Sequence, residues 1–248
     1  MKNYKLTICY DGTRYLGWQK LGERGSKDYA RTIQGKLETV LSKMTGEEIE
    51  VNGSGRTDAG VHAAAQIGNF RTNGDAAPEE VRDYLNRYLP EDIAVTAGEE
   101  APERFHARLH AKGKVYRYRI HNSPVPDVFR QRFQYQVAEP LDVPAMEAAA
   151  QRLRGTHDFR PFCASKRTKK STVRTVWSIA VERDGDRLDI VFHGDGFLYN
   201  MVRILAGTMI EAGLHRLRPE DMDDIFAGAR PAGYTAPAKG LTLERVDY

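Results

Sequence analysis

The sequence has few cysteines and no long apolar run. Its 248 residues include two cysteines, Cys9 and Cys163, and their positions match no metal-binding or redox spacing. Since so few thiols suit a reducing compartment, we expect a cytoplasmic protein. The most apolar segment, residues 197–214, is interrupted by an asparagine, an arginine and a glutamate, whereas a membrane span needs about 18 uninterrupted apolar residues. We therefore expect no membrane partner.

The chain also lacks a strong excess of either charge. It contains 37 Lys and Arg against 34 Asp and Glu, a formal net charge of +3. Alone this is weak support for a nucleic-acid partner, because a basic patch on one face matters more than the total. Residues 104–119 and 166–174 contain several Lys and Arg and no acidic residue. They are either solvated surfaces or parts of a phosphate-binding surface.

The first half of the chain shows a recognisable order of elements. Residues 4–10 alternate polar and apolar side chains, as a half-buried strand does. Thr32 and Pro78 mark the starts of two helices with apolar residues at helical spacing. Short strands are predicted at residues 48–53, 63–70 and 93–99. The order β-α-β-β-α-β is that of a ferredoxin-like unit.

The second half repeats this order. Strands are predicted at 114–121, 133–137, 173–182, 187–192 and 241–246, and helices at 144–153, 198–214 and 219–226. An Asp184-Gly185 turn marks a hairpin. We predict an α+β protein with two tandem ferredoxin-like, RRM-like halves that form a continuous mixed, largely antiparallel sheet with a central active-site cleft. The predicted domains are residues 1–105, with the catalytic loop, and residues 106–248.

The most unusual segment is residues 51–65, VNGSGRTDAGVHAAA. It is not a P-loop, since no Lys-Ser/Thr pair follows the glycines, and it lacks the third glycine of a dinucleotide fingerprint. One alternative is a carboxylate nucleophile at Asp58, which Arg56 two residues away would keep ionised. An ordinary turn with a capping aspartate is the simplest alternative.

A metal site is a further alternative for this segment. Asp58 and His62 lie four residues apart, and His106 and His110 have the same spacing. Carboxylate and imidazole ligands suit several metals. A metal-dependent hydrolase therefore stays open at this point.

The string GSGRTDAGVHA at residues 53–63 resembles the catalytic motif of the tRNA pseudouridine synthase A family. The resemblance extends along essentially the whole chain. The other matching motifs are YDGT at 10–13, GWQ at 17–19, RTIQG at 31–35, FHAR at 105–108, KVYRY at 114–118, GTHDF at 155–159, FLYNMVR at 197–203 and PAKGLTL at 237–243. Several ordered motifs are far more specific than any one of them.

The resemblance implies an isomerase without metal or cofactor, which breaks the N-glycosidic bond of a uridine, rotates the uracil and rejoins it through carbon. It assigns Asp58 as nucleophile or base, Tyr116 as the ring that stacks on the target base, and Arg203 as the partner of the catalytic aspartate. It also implies four substrate-binding residues. These are Arg56, which takes the space of the flipped nucleotide, His62, Arg108 and Leu243, which lines the uracil pocket or packs in the core.

The resemblance further implies tRNA as substrate, with uridines at positions 38 to 40 of the anticodon stem-loop, and a homodimer. Residues 20–30 form a longer link than is usual in the family. We expect this link to be an RNA-reaching arm that affects the choice of uridine, or a tolerated surface insertion. A non-catalytic RNA-binding protein with two RRM-like halves is the competing function. The set Arg56, Asp58, Tyr116 and Arg203 favours the enzyme, because binding alone needs no such carboxylate.

Overall fold

The structure is a computed structural model and describes residues 1–165 and 171–248. The predicted basic segment 166–174 falls mostly on residues 166–170, which lie outside the described residues. The described chain contains ten strands and five α-helices, which confirms the predicted α+β class. None of the described helices combines the length and the apolar character that crossing a bilayer requires. The chain divides into two compact units, residues 1–112 with 243–248, and residues 113–242.

The first unit has the predicted β-α-β-β-α-β order. Its elements are β1 (Lys2–Tyr10), α1 (Ile33–Thr45), β2 (Asn52–Gly53), β3 (His62–Thr72), α2 (Pro78–Tyr88) and β4 (Ile93–Ala101). In its sheet β1 lies between β4 and β3 and pairs antiparallel with both, while β2 pairs with β3. This element order is that of a ferredoxin-like unit.

Local sequence explains where these elements begin and end. Leu6 and Ile8 are buried on one face of β1, as the alternation of a strand dictates. Thr32 caps α1, because its Oγ1 accepts the Gly35 N–H at 3.1 Å. Gly46 ends the helix in the left-handed conformation, with φ of 71°, which is the usual helix C-terminus.

The second unit contains the remaining elements. They are β5 (Gly113–Asn122), β6 (Tyr135–Val137), α3 (Val143–Leu153), β7 (Gly155–Asp158), β8 (Val173–Asp184), β9 (Arg187–Gly194), α4 (Met201–Gly213), α5 (Asp221–Phe226) and the start of β10 (Leu241–Asp247). β9 pairs antiparallel with β5 and β8, and β8 pairs antiparallel with β7. β6 runs parallel to β5, so the strand pairing is mixed but mostly antiparallel.

Strand β10 places residues 243–248 in the first unit. It lies beside β3, the Asp247 carbonyl accepts the Lys112 N–H at 2.8 Å, and the Tyr248 hydroxyl donates to the Ala107 carbonyl at 2.6 Å. The chain therefore passes from the first unit to the second between residues 112 and 113, and returns between residues 242 and 243. The sequence analysis expected a single boundary, between residues 105 and 106. Periodicity along a strand does not identify its neighbour, so it cannot show such a return.

Some element bounds differ from those predicted. Helix α4 begins at Met201 and not near residue 198, because Asn200 directly before it adopts a left-handed φ of 59°. Strand β2 keeps only two residues of the predicted 48–53. Strand β7 was not predicted, since Gly-Thr-His-Asp lacks alternating apolar residues. The predicted hairpin is confirmed, with Asp184 pairing Arg187 across the turn between β8 and β9.

Candidate active site

Asp58 lies in the first unit, in the loop that joins β2 to β3. The Val61 N–H donates to the Asp58 carbonyl at 3.1 Å and closes a turn. Within that turn Gly60 has φ of 78°. The preceding Thr57 is buried, Asp58 is half-buried and Arg56 is exposed. The turn therefore places half-buried Asp58 two residues after the exposed Arg56.

The segment that follows β1 clamps the residue before Asp58. The Trp18 N–H donates to the Thr57 carbonyl at 3.0 Å, and the Tyr10 and Thr57 hydroxyls lie 2.8 Å apart. Burial raises the pKa of Tyr10, so its hydroxyl keeps its proton. Gly17 has φ of 103°, and a Cβ there would lie 2.5 Å from the Thr57 carbonyl oxygen. This contact explains why a glycine stands before Trp18.

His62, the first residue of β3, supports the other side of the turn. Its buried Nδ1 accepts the Gly12 N–H at 3.0 Å. The same Nδ1 lies 3.2 Å from Asp11 Oδ1. A Cβ at Gly12 would lie 2.0 Å from the Val61 carbonyl oxygen. His62 thus holds the turn in place, and its contact with substrate stays a prediction.

A buried amide supports the glycines that precede Asp58. The Ser54 hydroxyl donates to Gln66 Oε1 at 2.6 Å, and Gln66 Nε2 donates to the Gly55 carbonyl at 3.0 Å. The Ser54 N–H donates to the Ile67 carbonyl at 2.7 Å. Sequence reasoning missed Gln66. The sequence offered one signal, a single amide in the otherwise small and apolar run AAAQIG. An amide buried within such a strand must find hydrogen-bond partners.

A second missed residue is Glu38 on α1, which is 0% exposed. Its carboxylate accepts from the Tyr29 hydroxyl at 2.7 Å, from Gln34 Nε2 at 2.9 Å and from the Val51 N–H at 3.0 Å. Lys20 Nζ lies 3.4 Å away. Val51 directly precedes β2, so Glu38 joins α1 to the start of the Asp58 loop.

Residues 20–30 are attached to the first unit by specific contacts. Arg24, which we expected to be part of an RNA-reaching arm, donates to the Ser42 hydroxyl at 2.9 Å and to the Ile49 carbonyl at 2.8 Å. Tyr29 is buried. Much of residues 20–28 remains exposed, and an effect of this segment on the choice of uridine stays a prediction.

Arg108 lies on a small turn whose backbone is fixed. The buried Ala107 N–H donates to Asn69 Oδ1 at 2.9 Å, and its carbonyl accepts the Tyr248 hydroxyl. The Arg108 side chain is exposed beside this anchor. Leu243, also in the first unit, is fully buried in β10, a position compatible with either of its predicted roles.

The histidines proposed as metal ligands have other partners. His106 Nδ1 accepts the Arg108 N–H at 3.1 Å, and His110 Nδ1 accepts the His106 N–H at 2.9 Å. Within residues 1–165 and 171–248, no group of three His, Cys, Asp or Glu side chains is placed to hold a metal ion. The described structure thus provides no ligand set for the metal-dependent hydrolase.

The second unit contains Tyr116 and Arg203. Tyr116 lies on β5 opposite Phe192 of β9, and its ring meets the Phe197 ring edge-on at 5.4 Å. Arg203 lies in the first turn of α4. Its Nε donates to the Ala236 carbonyl at 2.8 Å and its Nη1 to Asn200 Oδ1 at 3.0 Å. The Tyr116 ring and the Arg203 guanidinium therefore each contact neighbours within the second unit.

The comparisons with known proteins identify this class of α+β protein. Residues 7–109 and 149–248 match the family model described as tRNA pseudouridine synthase. The tRNA pseudouridine synthase A of Brevibacillus brevis is 44% identical, and that of Bacillus sp. strain KSM-64 is 46% identical, each over the full length of both chains. The tRNA pseudouridine synthase A 2 of Clostridium tetani is 44% identical over all of this chain and 99% of the relative.

The chain therefore belongs to the tRNA pseudouridine synthase A family, and it is an isomerase that acts on uridine in tRNA. One solved structure, a Cbf5-Nop10-Gar1 complex, aligns with 96% of this chain and 57% of the matched chain at 13% identity, with a TM-score of 0.36. That likeness is too low to support any statement about this protein.

Proposed function

We propose that this enzyme converts uridine to pseudouridine in the anticodon stem-loop of tRNA, at one or more of positions 38 to 40, with Asp58 as the nucleophile or base. The observation that carries the proposal is the fixed turn around Asp58. The Thr57 carbonyl accepts a hydrogen bond from the Trp18 N–H, and the Thr57 hydroxyl is hydrogen-bonded to the Tyr10 hydroxyl. These bonds fix the backbone next to Asp58, which favours a preorganised position of its side chain for reaction with a bound nucleotide.

A carboxylate suits the chemistry of this isomerisation. As the bond between the ribose and the uracil nitrogen breaks, positive charge develops on the glycosidic carbon, and an anionic oxygen stabilises that charge. Asp58 serves as nucleophile or base in this step. When the ring rejoins through carbon, that carbon loses its hydrogen as a proton and the released ring nitrogen takes up a proton. The product is therefore an isomer of the starting nucleotide, and the reaction requires no oxidant or reductant.

The remaining site residues receive roles in binding and orientation. A uridine within a stem must leave its stack to reach an enzyme's carboxylate. Exposed Arg56, next to the Asp58 turn, takes the vacated space, and Tyr116 stacks on the extruded base. Arg203 orients the Asp58 carboxylate, and Leu243 lines the uracil pocket. His62 and Arg108 contact the surrounding RNA.

The partners follow from the substrate. We propose that the enzyme works in the cytoplasm as a homodimer, with one tRNA touching both subunits. The exposed Arg104 and Arg108 of segment 104–119 supply phosphate contacts, which dominate affinity for nucleic acid.

Site-resolved mapping of pseudouridine tests the function. Unmodified tRNA is incubated with the wild-type protein, with Asp58→Asn, or with a control variant, Asp75→Asn, which changes an exposed aspartate. We expect pseudouridine at positions 38 to 40 with the wild type and the control, and none with Asp58→Asn. Pseudouridine confined to other positions would refute the site choice, and full turnover by Asp58→Asn would refute the role of Asp58.

A further inference from the structure

The second unit carries an exposed apolar segment directly after β5. Residues 123–133, which we call the 123–133 segment, have the sequence SPVPDVFRQRF. Phe129 is 94% exposed, Val125 68% and Val128 61%. Large apolar side chains that cluster in solvent mark an interaction site more often than isolated ones do.

Specific hydrogen bonds hold the backbone of this segment. Asp127 Oδ1 accepts the Phe129 and Arg130 N–H groups, each at 3.1 Å. The Phe133 N–H donates to the Arg130 carbonyl at 2.8 Å, and His121 Nε2 lies 2.8 Å from the Val125 carbonyl oxygen. Phe129 is therefore exposed on a turn whose backbone is held by hydrogen bonds.

Positive charge flanks the exposed ring. Arg130 and Arg132 are both exposed, and the Arg132 guanidinium lies 5.6 Å from the centre of the Phe133 ring. The segment contains one acidic residue, Asp127, whose carboxylate closes the turn and also lies 3.9 Å from Arg130 Nε, so the two arginines still exceed the acidic charge. Arginines interleaved with aromatic rings are typical of surfaces that bind unpaired nucleotides, because rings stack on bases while guanidinium groups contact phosphates.

We propose that Phe129 stacks on an unpaired base of the tRNA, and that Arg130 and Arg132 contact the adjacent phosphates. This inference rests on the proposed function, because it takes tRNA as the ligand. The base differs from the one isomerised. Asn122, at the end of β5, lies six positions after Tyr116, and six steps of about 3.3 Å along a strand span about 20 Å.

A second copy of this chain fits the segment less well. In a two-fold symmetric interface the same patch faces itself. An interface on this segment would bury Arg130 and Arg132 of both subunits with Asp127 as the segment's one acidic residue, and this excess of like charge opposes association. Phosphate groups complement these arginines instead.

The test compares Phe129→Ala with Phe129→Trp, which keeps an aromatic face. Tyr88→Ala is the matched control, because Tyr88 is also an exposed aromatic residue, 55% accessible, with the Arg87 guanidinium 5.8 Å from its ring. Affinity is measured by fluorescence anisotropy with labelled tRNA, and kcat and KM by pseudouridine formation. Each variant is also examined by sedimentation velocity.

We expect Phe129→Ala to weaken tRNA binding about 5- to 150-fold, the range of one lost base stack, with kcat nearly unchanged. Phe129→Trp should bind as the wild type does, and tRNA should quench the added tryptophan fluorescence. Tyr88→Ala should change affinity less than about twofold. Replacing both Arg130 and Arg132 with glutamine should reduce the slope of log affinity against log salt concentration by about two, because two phosphate contacts are lost.

Two outcomes overturn the inference. Wild-type affinity in Phe129→Ala would show that no base stacks on this ring. A smaller assembly of Phe129→Ala in sedimentation would show that a second copy covers it. Absence of pseudouridine with Phe129-dependent tRNA binding would refute the proposed function alone, whereas pseudouridine formation by Phe129→Ala with both kcat and KM at the wild-type values would refute this inference alone.

Discussion

The Trp18 N–H donates to the carbonyl of Thr57, the residue that precedes Asp58, at 3.0 Å. The two residues are far apart in the sequence, and this bond fixes the position of the proposed nucleophile. Gly17 permits the approach, because only a residue without Cβ fits against the Thr57 carbonyl in a backbone with φ of 103°.

Gly17→Ala should therefore damage both stability and catalysis. The added Cβ would lie 2.5 Å from the Thr57 oxygen, so the turn must shift, and a displacement of about 1 Å at a reacting group can reduce the rate about 100-fold. Gly25→Ala is the control, since Gly25 also has a positive φ but no atom within 4 Å of its Cβ position. Urea unfolding and kcat are measured for both. Equal rates for the two variants would contradict the clamp.

Glu38→Gln should destabilise the first unit by about 2–3 kcal/mol, because an amide NH₂ would face donors that the buried carboxylate now satisfies. Glu50→Gln is the matched control. Glu50 also approaches Lys20 Nζ, at 3.5 Å, but its side chain is exposed, so we expect a change of less than about 0.5 kcal/mol. Denaturant unfolding measures both, and a neutral Glu38→Gln would show that the hydrogen bonds to this carboxylate contribute little.

Tyr116→Ala should reduce turnover more than tRNA affinity, because its proposed stacking applies only after the base has left the helix. One base–aromatic stack is worth about 1–3 kcal/mol. Tyr116→Phe keeps the ring and should retain most activity. The measurement is kcat under saturating tRNA together with the dissociation constant. If Tyr116→Ala turned over at the wild-type rate, Tyr116 would have only a packing role.

Asp221 should make the second unit sensitive to acid. Hydrogen bonds from the Arg218 backbone and side chain lower the pKa of this carboxyl. Its contribution to stability is complete above the unfolded pKa of about 3.9 and is lost as pH falls through the lower folded value. Asp221→Asn should therefore flatten the fall of the urea midpoint below about pH 4. Asp224→Asn, which changes an exposed residue on the same helix, should show the same loss of urea midpoint with falling pH as the wild type. Parallel curves of urea midpoint against pH for the wild type, Asp221→Asn and Asp224→Asn would contradict this account.

The sequence predicts the elements of the first unit well, because each has a local cause. Leu6 and Ile8 alternate with polar residues, and Thr32 is a helix cap that depends only on Gly35 three residues later. Interactions between distant residues were not predictable in this way. Glu38 on a helix face resembles an ordinary solvated glutamate, and its buried role depends on Val51 and Tyr29 arriving beside it.

The candidate site was predicted by motif and not by periodicity. The string around Asp58 identified the loop, but it did not reveal that Gly17 and Gln66 support it from two sides. Those contacts depend on how β1 and β3 lie in the folded sheet. Sequence reasoning therefore located the proposed reactive group and missed most of the residues that support its loop.

The placement of residues 243–248 with residues 1–112 has a consequence for biosynthesis. More than half the chain separates the two parts of this unit, so the unit stays incomplete until the ribosome has translated the whole intervening stretch. Until then β3 lacks the neighbour that β10 supplies, and an uncovered strand edge is a template for pairing with other chains. Nascent molecules would therefore pass through a period of exposure to aggregation, and a fragment that stops at residue 112 would retain that vulnerability permanently.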